Sequence, residues 1–159
     1  MNEILDQLRS TFATAFSTSF TTYFKGKQEI PAQDDLPILM VYPVSTNQTH
    51  SGTVRDDVKY NIGVEIQLNM KQYFDSVNGQ GTKLDALEAL MKLVEERESD
   101  GDLKTSTVMG IINANIAISN KVLYTDNLNV NYDPYYNKGE FPTVKATVTF
   151  TAHDRPNRT

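Results

Sequence analysis

Apolar and polar positions along the chain repeat with two different periods, and those periods divide it into helices and strands. Ile4, Leu8, Phe12, Phe16, Phe20 and Phe24 recur every four residues, and Leu5 and Tyr23 widen the stripe. This spacing predicts one amphipathic helix over residues 1–24, stopped at Gly26. The Ser and Thr residues between the aromatics are mediocre helix formers, so packing must hold that helix. The stripe is either core or shared with a neighbouring subunit.

Beyond a loop through Pro31 and Asp34-Asp35, Ile38 to Val41 form a short apolar run bracketed by Pro37 and Pro43. Proline lacks a ladder donor, so this reads as a strand near an edge or ending there. Ser45 to Asp57 is polar apart from Val54 and reads as a long loop, functional or mobile in the free protein. A period of two then runs from Asn61 to Met70: Ile62, Val64, Ile66, Leu68 and Met70 oppose Asn61, Gly63, Glu65, Gln67 and Asn69. One face of that strand should be buried and the other polar.

Asn78-Gly79-Gln80-Gly81 is a turn, and Thr82 with Asp85 resembles a capping box for a second helix. Its apolar face is Leu84, Leu87, Leu90, Met91 and Val94. Three further alternating segments predict strands around Ile112–Ser119, Asn127–Tyr132 and Thr143–Ala152, with a turn or loop at Asp133–Glu140. The expected architecture is a single α+β domain over 1–159, in the order α-β-β-α-β-β-β. Its antiparallel sheet, made mostly of consecutive hairpins, is covered on one face by the N-terminal and central helices.

Composition narrows the function classes. The 159 residues suffice for one domain with a real core. Fifteen Lys and Arg against twenty Asp and Glu leave a net charge of −5, which does not suit a nucleic-acid clamp. With no cysteine there is neither a thiolate nucleophile nor a thiolate metal cage. No apolar run approaches the roughly 20 residues that span a bilayer, so no membrane partner is expected.

Candidate chemistry is thin. His50 and His153 are the only histidines and belong to no metal or triad motif. The loop Asn78–Lys83 lacks the Gly-Lys-Ser/Thr order of a phosphate cradle. Asn129 to Glu140 places oxygen-bearing side chains at calcium-loop spacing, but Pro134 stands where that loop needs glycine. No catalytic residue, cofactor or metal is therefore assigned. The residues singled out are candidates for protein contact: Thr49, Arg55 and Asp56 in the long polar stretch, and Tyr132, Tyr135, Tyr136 and Lys138 around the later turn. Tyrosines buy large contact area at modest entropic cost.

The layout resembles that of the tail terminator (tail completion) proteins of long-tailed bacteriophages, including the lambda-type terminator. What carries the likeness is the N-terminal helix, the proline-bounded strand Leu36–Pro43, the long polar stretch, the alternating strand, the central helix and the closing strands ending Val144–Phe150. The resemblance implies a structural, non-enzymatic virion protein at the head-proximal end of the tail. It implies a hexameric ring that caps the tail-tube protein, stops polymerisation and docks a head-completion or connector protein. DNA would only pass through its channel. The alternatives are a connector, a tail-tube subunit, or a small ligand-binding domain or enzyme.

Overall fold

The computed structural model describes residues 1–28, 31–51, 55–71, 83–136 and 142–156. It is an α+β fold in which five strands form one mixed sheet of order β1-β2-β3-β5-β4. In chain order the elements are α1 (Asn2–Ala15), β1 (Thr22–Lys25), β2 (Ile38–Ser51), β3 (Arg55–Asn69), α2 (Lys83–Glu95), α3 (Val108–Ala114), β4 (Tyr124–Tyr136) and β5 (Thr143–Asp154). β2–β3 and β4–β5 are antiparallel neighbours in sequence, β3 and β5 pair antiparallel across them, and β1 lies parallel to β2.

The alternation along β3 and β5 sorts as expected on the core side. Leu39 and Val41 of β2, Ile62, Val64, Ile66 and Leu68 of β3, and Val144, Ala146, Val148 and Phe150 of β5 join one core with the helices. Ile4, Leu5, Leu8 and Phe12 of α1, and Ala86, Leu90 and Val94 of α2, close over that face.

Four expectations are corrected. The first helix does not run to residue 24: α1 ends at Ala15, and Thr22–Lys25 form strand β1. The aromatic stripe outlives the helix, because Phe20 packs edge-on against both Phe16 and Tyr23, with centroids 5.4 and 5.7 Å apart. The Ser/Thr run of residues 17–22 lets the backbone turn while the rings stay in the core.

The segment around Ile112 is helical, not a strand. Thr107 caps α3, its Oγ1 accepting from the Gly110 amide at 3.1 Å, and Val108 to Ile112 are all buried. A short run buried on every side carries no period to distinguish helix from strand. Ile118, Ser119 and Asn120 then take left-handed φ values of 45°, 53° and 66°.

The stretch Ser45–Asp57 is not a loop. β2 continues to Ser51 and β3 begins at Arg55, with paired register from Ser45↔Asn61 to Ser51↔Arg55. β4 likewise extends through Asp133 to Tyr136, into the expected turn. The cap at Thr82 and the loop Asn78–Gly81 lie outside the described residues.

The second sheet face is also partly covered. Leu36, Ile38 and Met40, with Phe24 and Tyr42, form a small cluster there. Ile38–Val41 is therefore buried on both sides, which explains its unbroken apolar run.

Candidate functional site

The second face of the sheet reads in rows across β2, β3, β5 and β4. The middle rows are Met40–Glu65–Thr147–Asn131 and Tyr42–Gly63–Thr149–Asn129. Nearer the β2–β3 turn the next row is Ser45–Asn61–Thr151–Asp126. It is tied by side chains: Asn61 donates to Ser45 Oγ at 2.7 Å, and Thr151 donates to Asn61 Oδ1 at 2.9 Å.

Glu65 is the buried charge of this face, 1% exposed. Gln67 Nε2 donates to its Oε1 at 2.8 Å and Lys27 Nζ lies 3.7 Å from Oε2. Tyr42 shares this group: burial first, and then the adjacent Glu65 carboxylate, pushes its hydroxyl up to about 12. A buried acidic side chain needs such partners, and Gln67 and Lys27 supply them.

At the far end of the β2–β3 pair, Asp56 is buried and takes two partners. Gln48 Nε2 donates to one carboxylate oxygen at 2.6 Å, and His50 Nδ1 lies 2.8 Å from the other. The Asp56 amide also donates to the Pro156 carbonyl at 3.3 Å. These contacts pin both strands to each other and to the chain beyond β5. Thr49 and Arg55 flank this clamp and are exposed. Thr49, Arg55 and Asp56 thus come together on one stretch, with Asp56 turned inward.

The later group is divided. Tyr132 lies on the core face and donates to Glu95 Oε1 at 2.7 Å, joining β4 to the end of α2. Burial and that hydrogen bond raise its pKa. Tyr136 lies under Lys145, whose Nζ stands 3.8 Å from the ring centroid. The Tyr135 side chain and Lys138 lie outside the described residues.

His153 pairs with Asp126, Nε2 to Oδ1 at 2.9 Å, and stacks on Tyr124 with centroids 4.4 Å apart. His153 and Tyr124 border a cleft with Lys59 and Arg155. Among the described residues no group of three or more His, Cys, Asp or Glu is placed to hold a metal. No described helix is long and apolar enough to cross a membrane.

Sequence reasoning missed the two outer margins of the sheet. β1 pairs only with Ile38–Val41, and every residue from Pro43 to His50 is exposed. On the opposite margin, β4 pairs with β5 alone among the described strands. The absence of Lys, Arg, Asp and Glu from residues 42–54 was the available signal. No protein-family model matches this chain, and neither does any curated protein.

Proposed function

We propose that this chain is a structural subunit of the phage tail-terminator type, working through binding surfaces. As a hexameric ring it caps the tail-tube protein, stops polymerisation and offers a docking surface to a head-completion or connector protein. DNA passes through its channel, and the ring sits at the head-proximal end of the tail in the virion. Closing a ring requires unlike surfaces that meet around an axis. Terminating a tube requires one ring face that accepts the tube and another that refuses a further ring.

The observation that supports this reading best is the outer side of β2. From Pro43 to His50 it is exposed and uncharged at neutral histidine, and flanked on one side only among the described strands. Natural sheets blunt such an edge with charge, proline or a bulge; here Pro43 and the register shift at Pro43/Ser45 mark only its start, and the uncharged run from Ser45 to His50 suits main-chain pairing to another chain. The Gln48–Asp56–His50 clamp ties it to β3 before any partner arrives. A surface formed in advance costs less entropy on docking than a loop that must order.

The test is tube assembly. Tail-tube subunits from the same genome are polymerised with and without the purified protein, and lengths are read by electron microscopy. Shortened or fixed lengths support termination. Longer tubes identify a tube subunit and overturn it, as do unchanged lengths.

A further inference from the structure

Beyond β1, the antiparallel part of the sheet is a block of four strands, β2-β3-β5-β4, each antiparallel to the next. Three antiparallel steps separate β2 from β4, so these two margins run in opposite directions. A copy rotated about an axis along the strands therefore presents its β4 antiparallel to the β2 of the first. An odd number of strands would have forced a parallel joint.

We propose that copies of this chain join head to tail, with β4 of one pairing antiparallel with residues 43–51 of β2 in the next, continuing one sheet around a closed ring. This rests on the assembly reading above and names the surfaces that make the ring.

The lengths agree. β1 occupies β2 only as far as Val41, leaving residues 42–51 for a strand that spans Tyr124–Tyr136. Charge favours the unlike pairing over β4 against β4. β4 carries Asp126, paired with His153, and Asp133; in the register that sets 126 opposite 133, an antiparallel pair of β4 strands brings two carboxylates from each side together, which is unfavourable. The β2 segment brings no carboxylate to meet them. Each margin also carries exposed apolar side chains for the joint to cover: Val44, 56% exposed, on β2, and Tyr124, 46%, on β4. Pairing β2 with β2 or β4 with β4 leaves other margins open, whereas the unlike joint consumes both at every step.

The absence of cysteine makes the test clean. Asn47 and Thr49 of β2, and Asn129 and Asn131 of β4, belong to the same sheet face by register. Single variants N47C, T49C, N129C and N131C are oxidised alone and as mixed pairs, with hydrogen exchange of the oligomer in parallel. The expected result is disulfide-linked dimers only when a β2 variant is mixed with a β4 variant. The amides of residues 44–51, and those of 124–136 other than Pro134, should exchange at least tenfold more slowly in the oligomer than in dilute monomer.

Dimers from β2 variants alone or β4 variants alone overturn the unlike joint. An oligomer without cross-links in any mixture and without slowed exchange overturns edge pairing altogether, as does a chain that stays monomeric at several hundred micromolar. The two readings fail separately. A ring cross-linked β2 to β4 that leaves tube length unchanged removes the terminator function and keeps the joint. A ring that fixes tube length with both margins exchanging freely does the reverse.

Discussion

Tyr42 lays its ring directly over Gly63, its cross-strand partner, so closely that a Cβ at residue 63 would lie 2.6 Å from the ring's Cζ. The glycine is what lets the aromatic lie flat on the sheet and bring its hydroxyl to Glu65. Gly63→Ala should therefore push the ring away and expose the Glu65 group. We expect a loss of about 1–3 kcal/mol, the usual range for overpacking, measured by urea denaturation.

Tyr42 also gives the protein an alkaline limit. Burial and the neighbouring Glu65 carboxylate raise its hydroxyl from the ordinary 10.0 to about 12 in the folded chain. The neutral phenol is the form favoured in the fold, so its contribution is fully present below pH 10. It is lost as pH rises through 10 toward 12, where the unfolded chain ionises and the folded one resists. Tyr132 is shifted in the same direction. The melting temperature should fall over that window, and Tyr42→Phe should flatten the fall while lowering stability at neutral pH.

At Gly110 it is backbone, not a side chain, that leaves no room for a Cβ. A Cβ there would lie 1.9 Å from the Lys104 carbonyl oxygen. Gly110→Ala should cost roughly 3 kcal/mol, at the upper end for overpacking, because backbone rather than a pliable side chain must move. Thermal unfolding checks it, and a melting point unchanged from the parent would contradict this packing of α3.

Ser119 offers a change in the opposite direction. It holds φ 53° between two other left-handed residues, and its amide bond to Asn115 Oδ1 at 2.9 Å needs no Ser side chain. Left-handed geometry costs an L-residue about 1–2 kcal/mol, part of which glycine returns as extra unfolded-state entropy. Ser119→Gly should stabilise by about 0.5 kcal/mol, read as a higher urea midpoint with an unchanged slope.

Asp56→Ala leaves Gln48 and His50 without their shared acceptor. The expected loss is about 1–3 kcal/mol, the cost of stranding polar groups, with faster amide exchange confined to residues 45–51 and 55–60. Uniformly faster exchange over the whole sheet would show that Asp56 serves global stability instead of the far end of the β2–β3 pair.

The sequence by itself determined the α+β class, the core faces of β3 and β5 and the central helix. Each is long enough for its period to be read, and burial on one side enforces that period. The exposed, chargeless stretch 43–50 was equally legible as polar, but its conformation was not. Polar residues carry no burial pattern, and only pairing with Arg55–Asn61 makes them a strand. Tertiary structure alone decided three further things. Phe20 and Tyr23 keep the spacing of a helix while the backbone turns into β1, because the core selects where rings go and not how the chain reaches them. Val108–Ile112 are helical because burial on all sides erases periodicity and the Thr107 cap, with Gly110 against Lys104, settles the choice. The two open sheet margins follow from strand order, which alternation along single strands does not encode.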